Sequence, residues 1–523
     1  MSNPVEYRDK SQNPSEGGAI PKDAAAVILL LHKTNPKDPE VFLVRRSEKL
    51  AFLGGFCAFP GGQLDATDTE TPVENSPDPE TLAAISCAAR ELFEETGVLQ
   101  ARGGEALTSG QRASLLDDLH SGRMSWPHLL KHYNLHLDAN DFTFVGRWVT
   151  PPFSARRFDT WFFLVNCPPK QQPHIIKGEL ESGEWISAKS AHERWQRSEM
   201  LAVPPTLHAL KTLADGLTDD LVERFLSVPH AHGEPVRRIE FRPNYICFPV
   251  RTPTKPPATH TNCYLVYNSE ELLIIDPGSP YEDEQHALAA CVDELISDAW
   301  CTVREIVLTH VHPDHVGGVN ALREHLFKRQ PPVLVTVAAH RLTAEALGEA
   351  ITIDRLIDDE ETIEFIGVPG VSLRAMHTPG HARGHLCFYE ERTGTLISGD
   401  NIVGLGSVLI DPPEGNMREY LESLERMRAL PNLSVIFGGH GPAIANPGSK
   451  IAEYISHRLE REQRILQAVR DGATTSRDIV ARVYTDVSTK AHAMAERAVL
   501  AHLEKLEADG LVSQTSQGAY RAT

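Results

Sequence analysis

Apolar runs of membrane length are missing from these 523 residues. A spanning helix needs about 18 consecutive apolar residues or more. The longest run near the start, residues 24–31 (AAAVILLL), has the length of a buried strand instead. Paired cysteines are missing too. The eight, at 57, 87, 167, 247, 263, 291, 301 and 387, form no CxxC motif, which argues against a thiolate metal site and reads as reduced thiols in a cytoplasmic setting. The opening residues lack the apolar centre of a secretory signal, and Glu6, Asp9 and Glu16 oppose a transit peptide, so residues 1–21 read as a disordered tail. Excess basic charge is absent as well: 51 Lys+Arg stand against 71 Asp+Glu, a net charge of −20. Such a field repels phosphate polymers and argues against binding double-stranded DNA. No repeat of fixed period is visible. What remains is ordinary globular usage, 41% hydrophobic and 23% charged, enough for three or four domains at roughly 150 residues each. The 24 histidines are the abundant feature.

Two chemistries divide the chain, both in α/β texture, with expected boundaries of 22–237, 238–450 and 451–523. The first unit ends in a helical stretch over 205–226 and the joint SVPHAHGEPVRR. Expected strands of the second unit include 264–267, 272–275, 303–308 and 333–337. From 451 onward the texture is helical.

In the first unit, Ala89-Arg90-Glu91-Leu92-Phe93-Glu94-Glu95-Thr96-Gly97 places Glu91, Glu94 and Glu95 at i, i+3 and i+4, on one helical face. Three clustered carboxylates repel one another unless cations occupy them, and oxygen ligands suit Mg²⁺ or Mn²⁺. Such ions bridge a diphosphate and orient an attacking water. Arg90 is placed to neutralise part of the cluster. The turn Phe59-Pro60-Gly61-Gly62 lets backbone approach it, and Gly97 ends the helix. These residues, with Arg156-Arg157-Phe158-Asp159-Thr160 and Gly183-Glu184-Trp185-Ile186-Ser187, resemble the Nudix hydrolases over about 160 residues, in particular the coenzyme A diphosphatase branch. The resemblance implies an α/β/α sandwich with Glu91, Glu94 and Glu95 as metal ligands and Glu91 as a catalytic carboxylate. One departure stands out. The family pattern has Gly, five residues, Glu, then seven residues before the Arg. Here Leu82 lies eight before Arg90, and Gly62 lies 28 before it, across an insertion over 65–79. Glu80 is the alternative upstream acid.

In the second unit, the expected strand 303–308 runs into Thr309-His310-Val311-His312-Pro313-Asp314-His315. Three imidazoles and a carboxylate in six residues are too polar to bury unpaired. Alternation lets His310 and His312 point the same way, and a turn at Pro313 redirects Asp314 and His315. His377-Thr378-Pro379-Gly380-His381, Gly399-Asp400 and Gly438-Gly439-His440-Gly441-Pro442 each follow a further expected strand. Imidazole and carboxylate without thiolate suit Zn²⁺, with Mn²⁺ and Fe as rivals. This ordered set, with Asp276-Pro277-Gly278, resembles the metallo-β-lactamase superfamily over about 210 residues. The resemblance implies an αββα sandwich in which His310, His312 and His381 bind one metal, Asp314, His315 and His440 bind another, and Asp400 bridges them. Water activated between the metals is the implied nucleophile, with Asp314 a catalytic carboxylate. Asp276 takes a supporting role, and His377 and His385 flank the third ligand.

Gly438 to Pro442, Tyr454-Ile455-Ser456-His457-Arg458 and Arg461-Glu462-Gln463 are similar to the β-lactamase-like protein 2 family, whose better-known members cleave single-stranded RNA. That implies a dinuclear-metal phosphodiesterase acting on RNA, with a possible second diphosphatase activity at the Nudix site. The alternative is a glyoxalase II-like thioesterase with the Nudix half binding a nucleotide or coenzyme A. RNA binding against a charge of −20 requires a local strip. Arg458, Arg461 and Arg464 are its candidates, unless they pack the tail. That tail, with helices expected at 460–469, 476–484 and 490–508 and a hairpin around Gln517-Gly518, reads as a winged helix. Met494, Ala498, Leu503 and Leu506 are its expected core. Over 451–523 there are 10 Lys+Arg and 10 Asp+Glu, a poor balance for a DNA reader, so a packing role is expected.

Overall fold

A computed structural model describes residues 19–523 except 51, 52, 155, 177, 299, 300, 486, 487, 489 and 490. Residues 1–18 of the expected tail, and Lys490 at the start of the expected third tail helix, lie outside the described residues. Strand Lys22–Leu30 forms the centre of the first sheet and pairs in parallel with Phe158–Asn166 along its whole length. Its apolar run is explained by two-sided burial: Ala25, Val27 and Leu29 face helix Pro79–Thr96, while Ala26, Ile28 and Leu30 face the opposite core. Strand Glu40–Arg46 carries Cys57–Ala58 and Leu180–Ser187 at its flanks, and Gly61–Gln63 pairs with the central strand. The expected 205–226 helix is two helices, Pro204–Ala214 and Leu221–Phe225. Between them Gly216 adopts φ +90°, where the chain passes close to the Pro36 carbonyl.

The second unit stacks a sheet of seven strands, Ile239–Arg242 to Arg355–Leu356, against one of five, Thr362–Glu364 to Val435–Gly438. Helices Glu282–Asp298 and Val319–Phe327 cover the first sheet, and Met417–Arg428 and Pro447–Arg470 cover the second. This is the expected αββα sandwich. The strand expected at 333–337 is Thr336–Ala339 instead. Pro331 and Pro332 precede it, and the Val333 amide closes back on the Leu326 carbonyl, which takes 333 out of the sheet. A single apolar cluster runs from Ile28 through Leu210 and Phe225 to Tyr264, Phe388 and Phe437, so the Nudix-like back face and the inter-sheet core are continuous.

The C-terminal winged helix is built as expected, from the end of Pro447–Arg470, then Ser476–Val483, His492–Ala508 and the hairpin Val512–Gln514 with Tyr520–Ala522. Thr475 caps the middle helix by accepting from the Asp478 amide. Ala498, Leu503 and Leu506 are buried there, whereas Met494 is exposed. Among the described residues no helix is long and apolar enough to cross a membrane.

Candidate metal centres

Helix Pro79–Thr96 brings Glu91, Glu94 and Glu95 onto one wall of a cleft of about 840 Å³. Strand Gly61–Gln63 closes on them. A Cβ on Gly62 would lie 2.5 Å from the Glu91 carboxyl carbon, so a side chain there would push the Glu91 carboxylate out of its place. The Gly61 amide donates to Glu95 Oε2 at 2.9 Å. Burial pushes the Glu91 carboxyl up to about 7 and that of Glu95 up to about 8. Crowded acids with raised affinity for a proton are sites where a cation substitutes for it.

Arg90 organises this face from behind. It donates to Asp68 at 2.8 and 3.1 Å, to the Gln63 carbonyl at 3.0 Å, and to Glu91 and Glu94 at 2.8 and 2.9 Å. Asp68 is fully buried, and Ser86 also donates to it. It sits in a one-turn helix, Ala66–Glu70, capped by Asp65, within the expected insertion. The insertion therefore supplies the counter-ion of Arg90. Glu80 does not fill that role. It stands in the first turn, about 16 Å up the helix axis, and faces Arg147 at 3.7 Å. Removing one partner of a buried ion pair leaves a charge uncompensated. Asp68→Ala is expected to cost about 3 kcal/mol, read as a lower urea midpoint at unchanged slope. A loss below about 1 kcal/mol would show that the backbone and glutamate contacts alone hold Arg90.

The second centre lies where strands of both sheets end. His310 Nε2 is 2.9 Å from His312 Nδ1, and His381 Nε2 is 3.0 Å from the same atom. His315 Nε2 lies 3.3 Å from Asp400 Oδ1. His440 Nε2 lies 3.2 Å from Asp400 Oδ2 and 3.5 Å from Asp314 Oδ2. Two groups of donors thus converge, His310 with His312 and His381, and Asp314 with His315 and His440. Asp400 stands between them, 3.8 Å from His381 Nε2 as well. Glycine permits this too, since a Cβ on Gly439 would lie 2.4 Å from Asp400 Oδ1.

Three of the imidazoles are aimed by a carboxylate or carbonyl behind them. Asp276, in the left-handed region at φ 55°, accepts from His315 Nδ1 at 2.7 Å and from the Thr309 amide and hydroxyl at 2.8 and 2.6 Å. The His260 carbonyl accepts from His440 Nδ1 at 2.8 Å, and the Leu409 carbonyl from His381 Nδ1 at 2.9 Å. Carbonyl oxygens only accept, so the opposite nitrogen of each ring offers its lone pair to the centre. His385 is wholly buried and accepts from the Asp400 amide at 3.2 Å. His377 points elsewhere and stacks on His340 at 4.0 Å.

This arrangement fits divalent cations. His315 Nε2 and Asp400 Oδ1 are buried 3.3 Å apart and make no hydrogen bond among the described residues, a state that an ion taking both would satisfy. Burial holds His310 well below its ordinary value and lowers His381 to about 4, leaving neutral rings fit to ligate. Burial alone would raise Asp400, but the His440 and His315 imidazoles outweigh it and hold the carboxyl well below the usual carboxylate range.

Two of the three arginines of the strip are buried, and only Arg464 is exposed. Arg458 is buried, donates to the Val408 carbonyl and lies 5.5 Å over the Tyr420 ring. Arg461 is buried over Tyr484 and shares the Val483 carbonyl with Arg464. Glu462 pairs with His502 and Lys505 rather than with these arginines. Arg458 thus packs the tail against the catalytic fold, whereas Arg461 and the exposed Arg464 hold the tail's own helix Ser476–Val483.

Paired clusters of histidine and carboxylate at strand ends of an αββα sandwich, beside a carboxylate helix on a Nudix sheet, define a metal-dependent hydrolase. Family models agree along the chain: the metallo-beta-lactamase superfamily over residues 256–440, the beta-lactamase associated winged helix domain over 475–521, and the NUDT19 Nudix domain over 69–213. A beta-lactamase-like protein 2 homolog of Caenorhabditis elegans is 30% identical over 254 residues, 48% of this chain and 80% of its own. One of Drosophila melanogaster is 32% identical over 253 residues, 48% of this chain and 83% of its own. Thioesterase pkgB of Emericella nidulans is 33% identical over 205 residues, 39% of this chain and 53% of its own. The chain belongs to the metallo-beta-lactamase superfamily, with a Nudix domain joined to its N-terminal side. Both domains imply divalent metal binding.

Proposed function

We propose that the histidine-rich centre hydrolyses thioesters. His310, His312 and His381 hold one Zn²⁺, Asp314, His315 and His440 hold the other, and Asp400 serves both. Two such ions supply Lewis acidity and a water that deprotonates near neutral pH. The chain's own part is to aim three imidazoles, through Asp276, the His260 carbonyl and the Leu409 carbonyl, and to hold Asp314 beside His440 as the catalytic carboxylate. The observation that carries the thioester over RNA is the inward turn of Arg458 and Arg461 on a chain of net charge −20. A polyanion then lacks its expected track, while a thioester carbonyl needs none. The thioesterase relative supports the same choice. The competing reading is phosphodiester cleavage in single-stranded RNA, favoured by the likeness at Gly438 to Pro442 and at Tyr454 to Arg458.

At the first centre we propose that Glu91, Glu94 and Glu95 hold Mg²⁺ or Mn²⁺ for cleavage of a nucleoside diphosphate derivative, with Glu91 catalytic. The proposed units are 22–237, 238–450 and 451–523, in a cytoplasmic protein. Metal-loaded full-length protein should release thiol from glutathione and coenzyme A thioesters and leave a short single-stranded RNA intact. RNA cleavage that weakens steeply with salt, without thiol release, would reverse the choice.

A further inference from the structure

The 408–412 loop lies between the winged helix and the metal centre, and both sides grip it. On the inner side, the Leu409 carbonyl accepts from His381 Nδ1 at 2.9 Å. On the outer side, Arg458 of the long helix donates to the Val408 carbonyl, and Arg497 of helix His492–Ala508 donates to Asp411 Oδ1 at 2.5 Å and to the Pro412 carbonyl. Val408 and Ile410 share an apolar cluster with Ala501 of the same tail helix. The loop is tied onward as well: the Gly415 amide donates to the Asp411 carbonyl at 2.8 Å, and the Asn416 amide to the Gly380 carbonyl, next to His381, at 2.8 Å.

We infer that the winged helix is a positioning element for the metal centre, in which Arg497 and Arg458 pin the 408–412 loop so that the Leu409 carbonyl turns His381 Nε2 toward His310 and His312. This gives the charge-balanced tail a task that needs no nucleic acid. It also explains why Arg458 faces inward. Partners behind a metal ligand typically change metal affinity about 10–100-fold when lost. Arg497 acts one step further out, through the loop, so the low end of that range applies. Arg497 is a positioning residue: it touches neither donor atoms nor the space between them. The inference rests on His381 being a ligand.

The test is Co²⁺ titration of the full-length protein, followed by visible absorption, for the parent, Arg497→Ala, Arg497→Lys and Arg418→Ala. Arg418 ties the same tail helix to the catalytic fold through Asp509 without touching the loop. Arg497→Ala should weaken the ion among the three histidines about tenfold and shift its absorption. Arg497→Lys, which keeps the charge facing Asp411, should recover part of both. Arg418→Ala should match the parent. If Arg497→Ala does not fold, Asp411→Asn breaks the same link from the loop side and should reproduce the loss. A parent-like titration for Arg497→Ala, or an equal loss in Arg418→Ala, overturns the inference. A parent that takes up no Co²⁺ with a histidine signature overturns the ligand assignment, and the inference with it.

Discussion

Asp400→Ala is expected to strip most of the metal from the histidine-rich centre and to lower its hydrolysis by a factor on the order of 10³ or more. The reason is placement. Asp400 lies 3.3 Å from His315, 3.2 Å from His440 and 3.8 Å from His381, so one carboxylate faces both donor groups. Its removal leaves His315 between Asp276 and a void, with no anion to balance a second cation. Metal analysis of the dialysed variant should fall from about two ions per chain to below one, while the Nudix centre keeps its activity. Full metal content with full activity would exclude the bridging role.

Glu94→Gln is the second large effect. Glu94 accepts from Arg90 at 2.9 Å and lines the cleft with Glu91 and Glu95. Losing one charged oxygen ligand weakens Mg²⁺ and forfeits several kcal/mol of charge stabilisation, a fall of about a hundredfold or more in rate. Mg²⁺-dependent cleavage of coenzyme A is the assay, with thioester hydrolysis as the internal control that should not change. A variant that cleaves coenzyme A at the parent rate would remove Glu94 from the ligand set. A parent that binds coenzyme A without cleaving it would instead make this half a binding module.

The two candidate metal centres were legible because their chemistry is written in side chains at fixed spacing. Glu91, Glu94 and Glu95 share a helical face by periodicity, and His310 to His315 follow a strand by alternation. What supports them was not legible. Asp68 looked like part of an insertion, and its pairing with Arg90 spans 22 residues without a periodic signal. The Asp65-x-x-Asp68 capping pair was the available clue. The carbonyls of His260 and Leu409 aim two of the proposed ligands, His440 and His381, yet any residue has a carbonyl. The spacing of Arg458, Arg461 and Arg464 correctly gave one face, but spacing cannot tell whether a face meets water or the Val408 and Val483 carbonyls. The helical stretch over 205–226 is present but broken at Gly216, where a turn against Pro36 interrupts the apolar period.

Anomalous diffraction from crystals of the full-length protein soaked in ZnCl₂ tests the central claim most directly. The account predicts two peaks at the strand ends, one among His310, His312 and His381 and one among Asp314, His315 and His440, with Asp400 reaching both. A single peak away from these residues, or none, would contradict it.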